Sequence, residues 1–225
     1  MMKAEYINHM GDDLTVVNAA RVSFDKESEW EPAEGDDFMI AGAILSERDT
    51  KLVKYLARHG HWTPFAHPQI TMRETVPIFV ARQRFKHMIG FTYSETSRRY
   101  VDDAPEFFVP ESWRARPDGS VKQGSGSDVD DQNLCKNHYW TATQAARQAY
   151  ESLLEAGVAP EQARMVLPQS MMTSYYVTGS LAAWARAYNQ RIDAHAQREI
   201  QDLAKWWGQI IEPLFPTAWK ALTER

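Results

Sequence analysis

Five cations and one acid crowd residues 82–100, RQRFKHMIGFTYSETSRRY, in a chain whose formal net charge is −5. Arg82, Arg84, Lys86, Arg98 and Arg99 surround Glu95, with serine and threonine hydroxyls between them. Guanidiniums grip oxyanions through paired N–H donors, while a carboxylate and hydroxyls suit a polar ring. Together they fit a ligand that carries several phosphates and such a ring. Charge alone would also fit a solvated helix face. Against that, the run follows the apolar IFVA and is interleaved with Phe85, Met88, Ile89, Phe91 and Tyr93.

The elements that must position these groups are legible on either side. Residues 78–88 read as a helix, with Pro77 suited to a first turn and Phe79, Ala81 and Phe85 on a buried side. On it Arg82 and Lys86 are four apart, as are Gln83 and His87, so each pair projects together. Gly90 breaks the helix, and the hydroxyl-rich segment brings Glu95, Arg98 and Arg99 back.

Composition sets the outer limits. The chain has 225 residues, 44% hydrophobic and 12% aromatic, enough for a buried core without a second domain. The negative net charge argues against a nucleic-acid coat, and no nucleic-acid partner is expected. One cysteine, Cys135, rules out an internal disulfide or a multi-cysteine metal site. No secretory signal is seen, and no apolar run approaches the roughly 20 residues of a membrane span. The expectation is a cytoplasmic protein without membrane contact.

In chain order, residues 3–8 read as a strand, and LTVVNAARVSF as a helix capped by Asp12 or Asp13. Residues 27–37 form an acidic loop. From residue 37 a helical pattern runs to Gly60, with Leu52, Tyr55 and Leu56 on one side. Residues 69–75 alternate as a strand with Ile70 and Met72 inward. Residues 102–132 hold the least ordered composition, and a mobile loop is expected around 115–132, a surface loop rather than a lid. A long helix spans about 133–156, with Tyr139, Ala142, Ala146, Tyr150 and Leu153 at helical spacing. After Gly157 and Pro160 come a strand from MMTSYYVT, a helix from SLAAWARAYNQR, and a further helix after Asp193. The eight tryptophans fit either a subunit interface or the core.

Against this pattern Lys86-His87-Met88, eight residues, then Ser97-Arg98-Arg99 resembles the signature of the flavin-dependent thymidylate synthases, Arg-His-Arg followed by Ser-x-Arg. HGHWTPFAH resembles that family's His-x-x-Pro-Phe-x-His segment, with Ala66 where a glutamate is common. Ala163-Arg164-x-Val166-Leu167-Pro168 and Arg191-x-Asp193-x-His195-Ala196-Gln197 resemble two later motifs. The four segments lie in the family's order. The resemblance implies an α+β fold with a mixed sheet flanked by helices, one catalytic domain over 1–225, and a homotetramer with active sites at subunit interfaces.

It also implies chemistry. Deoxyuridine monophosphate (dUMP) would be methylated at C5 with methylenetetrahydrofolate as carbon donor, FAD as hydride carrier and NADPH as reductant, without a cysteine nucleophile. By motif position Gln83, Lys86, Glu95, Ser97, Arg98, Arg99, Arg164 and Arg191 would hold the nucleotide. Arg191 would be catalytic, stabilising negative charge on the uracil. Ser23, His61, Thr63, Lys86, His87, Met88, Glu95 and His195 would face the flavin and folate, although Ser23 also fits a surface serine closing a helix. Lys86 keeps a charge but loses the fork, and Met88 loses both, so flavin affinity is expected to fall roughly tenfold or more unless Arg84 or Arg98 substitutes. His59, His61 and His67 invite a zinc site, but no carboxylate follows at ligand spacing, and no metal ligand is assigned. The alternatives are a non-catalytic nucleotide or nucleic-acid binder on the same fold, and a histidine-metal hydrolase.

Overall fold

Period-two alternation builds the centre of the molecule. β4 (Gln69–Pro77) buries Ile70, Met72, Glu74 and Val76 and turns the residues between them outward. It pairs on one side with β1 (Lys3–Met10) and on the other with β6 (Met172–Ser180), which also pairs with β5 (Phe91–Glu95). The order β1-β4-β6-β5 is antiparallel at every pairing. The α+β class holds, with an antiparallel sheet where the resemblance implied a mixed one, because each neighbouring strand enters from the opposite end. A second ribbon joins β2 (Glu31–Pro32) to β3 (Ala43–Ile44). The computed structural model describes residues 1–32, 43–117, 119 and 124–224.

Helices cover one face. α1 (Asp13–Arg21) starts with a capping box, in which the Thr15 amide donates to the Asp12 carboxylate at 2.8 Å and the Asp12 amide to Thr15 Oγ1 at 3.1 Å. Asp12 is therefore the cap. Asp13 is buried and accepts from the Thr217 and Ala218 amides at 2.7 and 3.0 Å, capping α8 (Pro216–Thr223) from the far end of the chain. Burial outweighs those bonds and raises the Asp13 pKa.

α2 (Glu47–Arg58) begins later than its sequence pattern suggests, because the Ser46 hydroxyl caps it by accepting from the Asp49 amide at 3.0 Å. It buries Val53, Leu56 and Ala57 and leaves Tyr55 outward, correcting the expected face. The acidic loop expected over 27–37 lies outside the described residues from position 33 onward. So do 118 and 120–123 of the loop expected around 115–132, whose described flanks pair through Arg114 and Asp128.

α3 (Ile78–Arg84) is shorter than expected. It tightens after Arg84, with the Lys86 and His87 amides bonding Gln83 O and Arg84 O. Gly90 follows at φ +78°, and a Cβ there would sit 2.9 Å from Ala183 Cβ. α4 (Gln132–Glu155) and the short α5 (Pro160–Ala163) precede β6. α6 (Leu181–Arg191), capped by Ser180, and α7 (Arg198–Ile211) complete the layer. Asp193 does not cap α7; it accepts from the His195 amide at 2.8 Å, and α7 starts only after Gln197.

The core between sheet and helices gathers Phe65, Ile70, Met72, Val76, Val177, Trp184, Leu203, Trp207 and Phe215, all fully buried. The tryptophans divide, with Trp184, Trp207 and Trp219 in the core and Trp62 and Trp140 exposed.

Candidate active site

The outward face of β4 and β6 forms the floor of a cleft of about 910 Å³. Arg73 and Thr75 come from β4, Met172 and Ser174 from β6, with Thr75 directly opposite Ser174. Arg73 Nε donates to Ser174 Oγ at 3.0 Å. Ile78, Ala81 and Arg82 on α3 and Phe85, which caps its end, lie at helical spacing and form one wall. Glu95, Ser97, Arg98 and Arg164 line the opposite side, so four expected nucleotide ligands meet in one cavity.

Their partners differ. Glu95 accepts from Thr173 Oγ1 at 2.6 Å. Arg98 is largely engaged, with Nη1 donating to the main-chain oxygen of Asp103 and to its carboxylate at 3.0 Å. Arg164 Nε reaches only the Glu161 carbonyl, at 3.3 Å, and has no carboxylate partner among the described residues. Arg99 lies outside the cleft lining and pairs with Glu161 at 3.3 Å in an exposed bridge. Arg73 joins the cleft although no motif marks it. The alternation that puts Ile70 and Met72 inward already places it on the other face.

A second cluster sits on the far side of α3. Arg191, at the end of α6, donates through Nε to His87 Nε2 at 2.8 Å and through Nη2 to the Gln83 carbonyl at 3.3 Å. Gln83 Nε2 in turn donates to Gln197 Oε1 at 2.6 Å. None of Gln83, His87 and Arg191 lines the cleft. One chain therefore holds these expected ligands in two clusters, on different sides of α3.

Burial, with the charges of Arg191, Arg84 and Arg186, depresses the His87 pKa to about 4. His87 is thus neutral at physiological pH, and because Nε2 accepts, its proton sits on Nδ1. Burial and Arg84 also lower the Arg191 pKa from its ordinary value, but a guanidinium stays charged. The result is a half-buried cation whose orientation is set by a neutral acceptor.

This gives a pH prediction. A histidine depressed from 6.5 to about 4 leaves the folded state short of a proton, so stability is lost as pH falls from about 6.5 toward 4. Between pH 7.5 and 5 the loss from His87 is about 2 kcal/mol. Urea denaturation at the two pH values, wild type against His87→Gln, should show the difference shrinking in the variant. An undiminished difference would assign it to other groups.

Arg84 does not substitute at position 88. It is fully buried, with Nε 3.2 Å from Glu74 Oε2 and Nη1 donating to Tyr93 Oη at 2.6 Å. Met88 and Lys86 are exposed, as are Ser23, His61, Thr63 and His195. His195 Nδ1 meets Asp193 at 2.9 Å, and His61 stacks on Tyr55. A hollow of about 570 Å³ lies between α1 and the turn at Thr63–Ala66, lined by Leu14, Asn18, Ala19, Val22 and His67. Ser23 follows the lining residue Val22 in sequence, and Thr63 opens the turn that His67 closes, with exposed Phe24 and Trp62 next to them in the chain. Among the described residues no group of three or more His, Cys, Asp or Glu gathers as a metal site. Cys135 is a free thiol on α4, outside the cleft.

Comparison with known proteins places this arrangement. The family described as thymidylate synthase complementing protein matches residues 5–217. The chain belongs to this family. It is 36% identical to the flavin-dependent thymidylate synthase of Thermosipho africanus, over 96% of this chain and 88% of that one. It is 38% identical to that of Kosmotoga olearia, over 94% and 86%. Among solved structures it is similar to the UMP/dUMP methylase PolB of Streptomyces cacaoi bound with 5-Br dUMP. That match has a TM-score of 0.83 and 28% identity, and covers 100% of this chain and 95% of that one. The motif-bearing segments thus sit in the family's fold, and the chain is a methyltransferase of the flavin-dependent thymidylate synthase type. No helix among the described residues is long and apolar enough to cross a membrane.

Proposed function

We propose that this protein converts dUMP to dTMP as an FAD-dependent thymidylate synthase, with methylenetetrahydrofolate as carbon donor and NADPH as reductant. The observation that carries this reading is Arg191, a half-buried guanidinium held by neutral His87 across α3 from a cleft without a thiol. A reaction that activates C5 without a covalent enzyme nucleophile needs such a charge near the uracil carbonyls, where negative charge develops. Arg164, Ser97 and Arg73 supply the cleft's donors for the phosphate, and Glu95 an acceptor for a sugar hydroxyl. The likeness to PolB, a UMP/dUMP methylase, supports a uridine nucleotide as ligand.

The flavin fits the remaining surface. An apolar hollow lined by Leu14, Ala19 and Val22, with the Thr15 hydroxyl and the His67 imidazole in its lining, suits a flat heteroaromatic ring. Ser23, His61, Thr63 and His195 would hold it, with Lys86 and Glu95 toward the nucleotide. When bound, the flavin supplies hydride transfer, and the protein's task is placement. A homotetramer with sites between subunits is supported by the separation of the expected ligands of one chain into two clusters, each completed by a neighbouring copy. It is supported also by α4, which buries only Thr143 and Tyr150 while Leu134 and Trp140 stay exposed. We read the chain as one catalytic domain acting in the cytoplasm.

The visible spectrum of the purified protein with added FAD tests the reading. A bound-flavin spectrum that bleaches with NADPH and shifts on adding dUMP is the expected result. Failure to bind FAD would overturn it. A second expectation concerns Met88, 74% exposed, where an arginine carries its charge in solvent at no burial cost. Met88→Arg should tighten FAD roughly tenfold, the effect of one charge-assisted hydrogen bond of about 1.5–3 kcal/mol. Unchanged affinity in a fluorescence titration would show that position 88 does not contact the cofactor.

A further inference from the structure

We propose that Glu199 is a positioning residue for nucleobase recognition, latched by Arg114, and that it forces Gln83 to present an acceptor oxygen to the base. This rests on the reading of Gln83 as a nucleotide contact. The chain of hydrogen bonds is continuous. Glu199, buried in the first turn of α7, accepts at Oε1 from Arg114 Nη2 at 2.6 Å and at Oε2 from Gln197 Nε2 at 2.9 Å. A carboxylate has no proton to give, so Gln197 can only turn its NH2 toward it. That leaves Gln197 Oε1 facing Gln83, whose own NH2 donates to it at 2.6 Å. Gln83 Oε1 is left without a partner among the described residues, while Arg191 Nη2 holds the same residue's main-chain oxygen. One acid thus sets the direction of two amides.

Direction matters to a pyrimidine. Uracil offers N–H at N3, which an amide oxygen accepts; cytosine offers a bare nitrogen there, which an amide oxygen repels. Buried hydrogen-bonding sites reject a mismatched partner far more strongly than apolar pockets do.

The base of the 102–132 excursion gains a role from this. Arg114 Nε donates to Ser125 Oγ at 2.7 Å, and its backbone forms an isolated antiparallel bridge with Asp128. Gln132 clamps Trp113 from both sides, accepting from its amide and donating to its carbonyl, each at 2.8 Å. These contacts aim the guanidinium at Glu199.

The test is calorimetric binding of dUMP and dCMP to full-length wild type, Glu199→Gln and Gln197→Met. In Glu199→Gln, Arg114 can only donate, so it keeps the new amide's oxygen. The new NH2 then turns to Gln197, and both Gln197 and Gln83 invert. The preference for dUMP over dCMP should fall roughly tenfold or more. Gln197→Met leaves the Arg114–Glu199 pair intact and frees the Gln83 amide, so preference should fall there with Tm unchanged. This second variant decides the matter if the first does not fold. A merely structural Glu199 would lower Tm and weaken both nucleotides alike. An unaltered preference in the folded variants overturns the proposal and leaves the synthase reading standing. Wild type that binds neither nucleotide overturns both.

Discussion

Arg191→Ala is expected to lower kcat by about a hundred- to a thousandfold, the usual cost of removing one preorganised donor to developing negative charge. KM for dUMP should change less, because the charge that Arg191 stabilises is largest in the transition state. The geometry adds a sharper expectation. Arg191 uses Nε to donate to His87 and Nη2 to donate to the Gln83 carbonyl, which leaves Nη1 for a ligand. Lysine keeps the charge but cannot bond His87, the Gln83 carbonyl and a ligand from one fixed plane. Arg191→Lys should therefore recover little of the lost kcat. Steady-state rates for the two variants check this, and near-wild-type turnover in Arg191→Lys would mean that charge alone suffices.

The second large effect is on stability. Arg84 and Glu74 are both fully buried, and Tyr175 Oη donates to Glu74 Oε2 at 2.5 Å. Burial pushes Tyr93 up to about 12 and, with the Glu74 charge, pushes Tyr175 well above the ordinary phenol range, so both phenols remain protonated donors. The guanidinium is also flanked by the rings of Phe91, Trp184 and Trp207, at 4.3 to 4.7 Å. Removing one partner strands the other charge in this apolar cage. Arg84→Met is expected to cost about 3–5 kcal/mol of unfolding free energy. The double variant Arg84→Met with Glu74→Leu should recover most of that loss, since no isolated charge is left. Urea melts of the single and double variants measure it, and equal losses in both would mean that ring packing, not charge pairing, holds the site.

That pair also shows where reading the sequence stops. Residues 69–77 alternate cleanly enough to predict β4 and its inward Ile70 and Met72. The same alternation points Glu74 into the core, and no local rule says that Arg84 will be there to meet it. Arg84 therefore reads in sequence as one more surface cation beside the signature, available to replace position 88. Only the packing of α3 over the sheet shows it to be consumed. Helix ends depart from expectation for a related reason. Hydrophobic periodicity marks where a helix is useful, whereas the Ser46 hydroxyl and the tightening after Arg84 decide where it starts and stops.

By itself the sequence carried the family resemblance that implies the chemistry. The spacing of Lys86-His87, Ser97, Arg164 and Arg191-x-Asp193-x-His195 is a property of the linear chain, and so is the lack of any cysteine among those segments. It determined the alternating strands and the amphipathic helices as well, because those periods are local. Tertiary structure decided which of these residues meet. It gathered Glu95, Ser97, Arg98 and Arg164 into one cleft with Arg73, and put Gln83, His87 and Arg191 on the other side of α3. It joined Arg114 to Glu199 across 85 residues of chain. Such contacts form between elements brought together by burial of a shared core, and no short-range pattern encodes them.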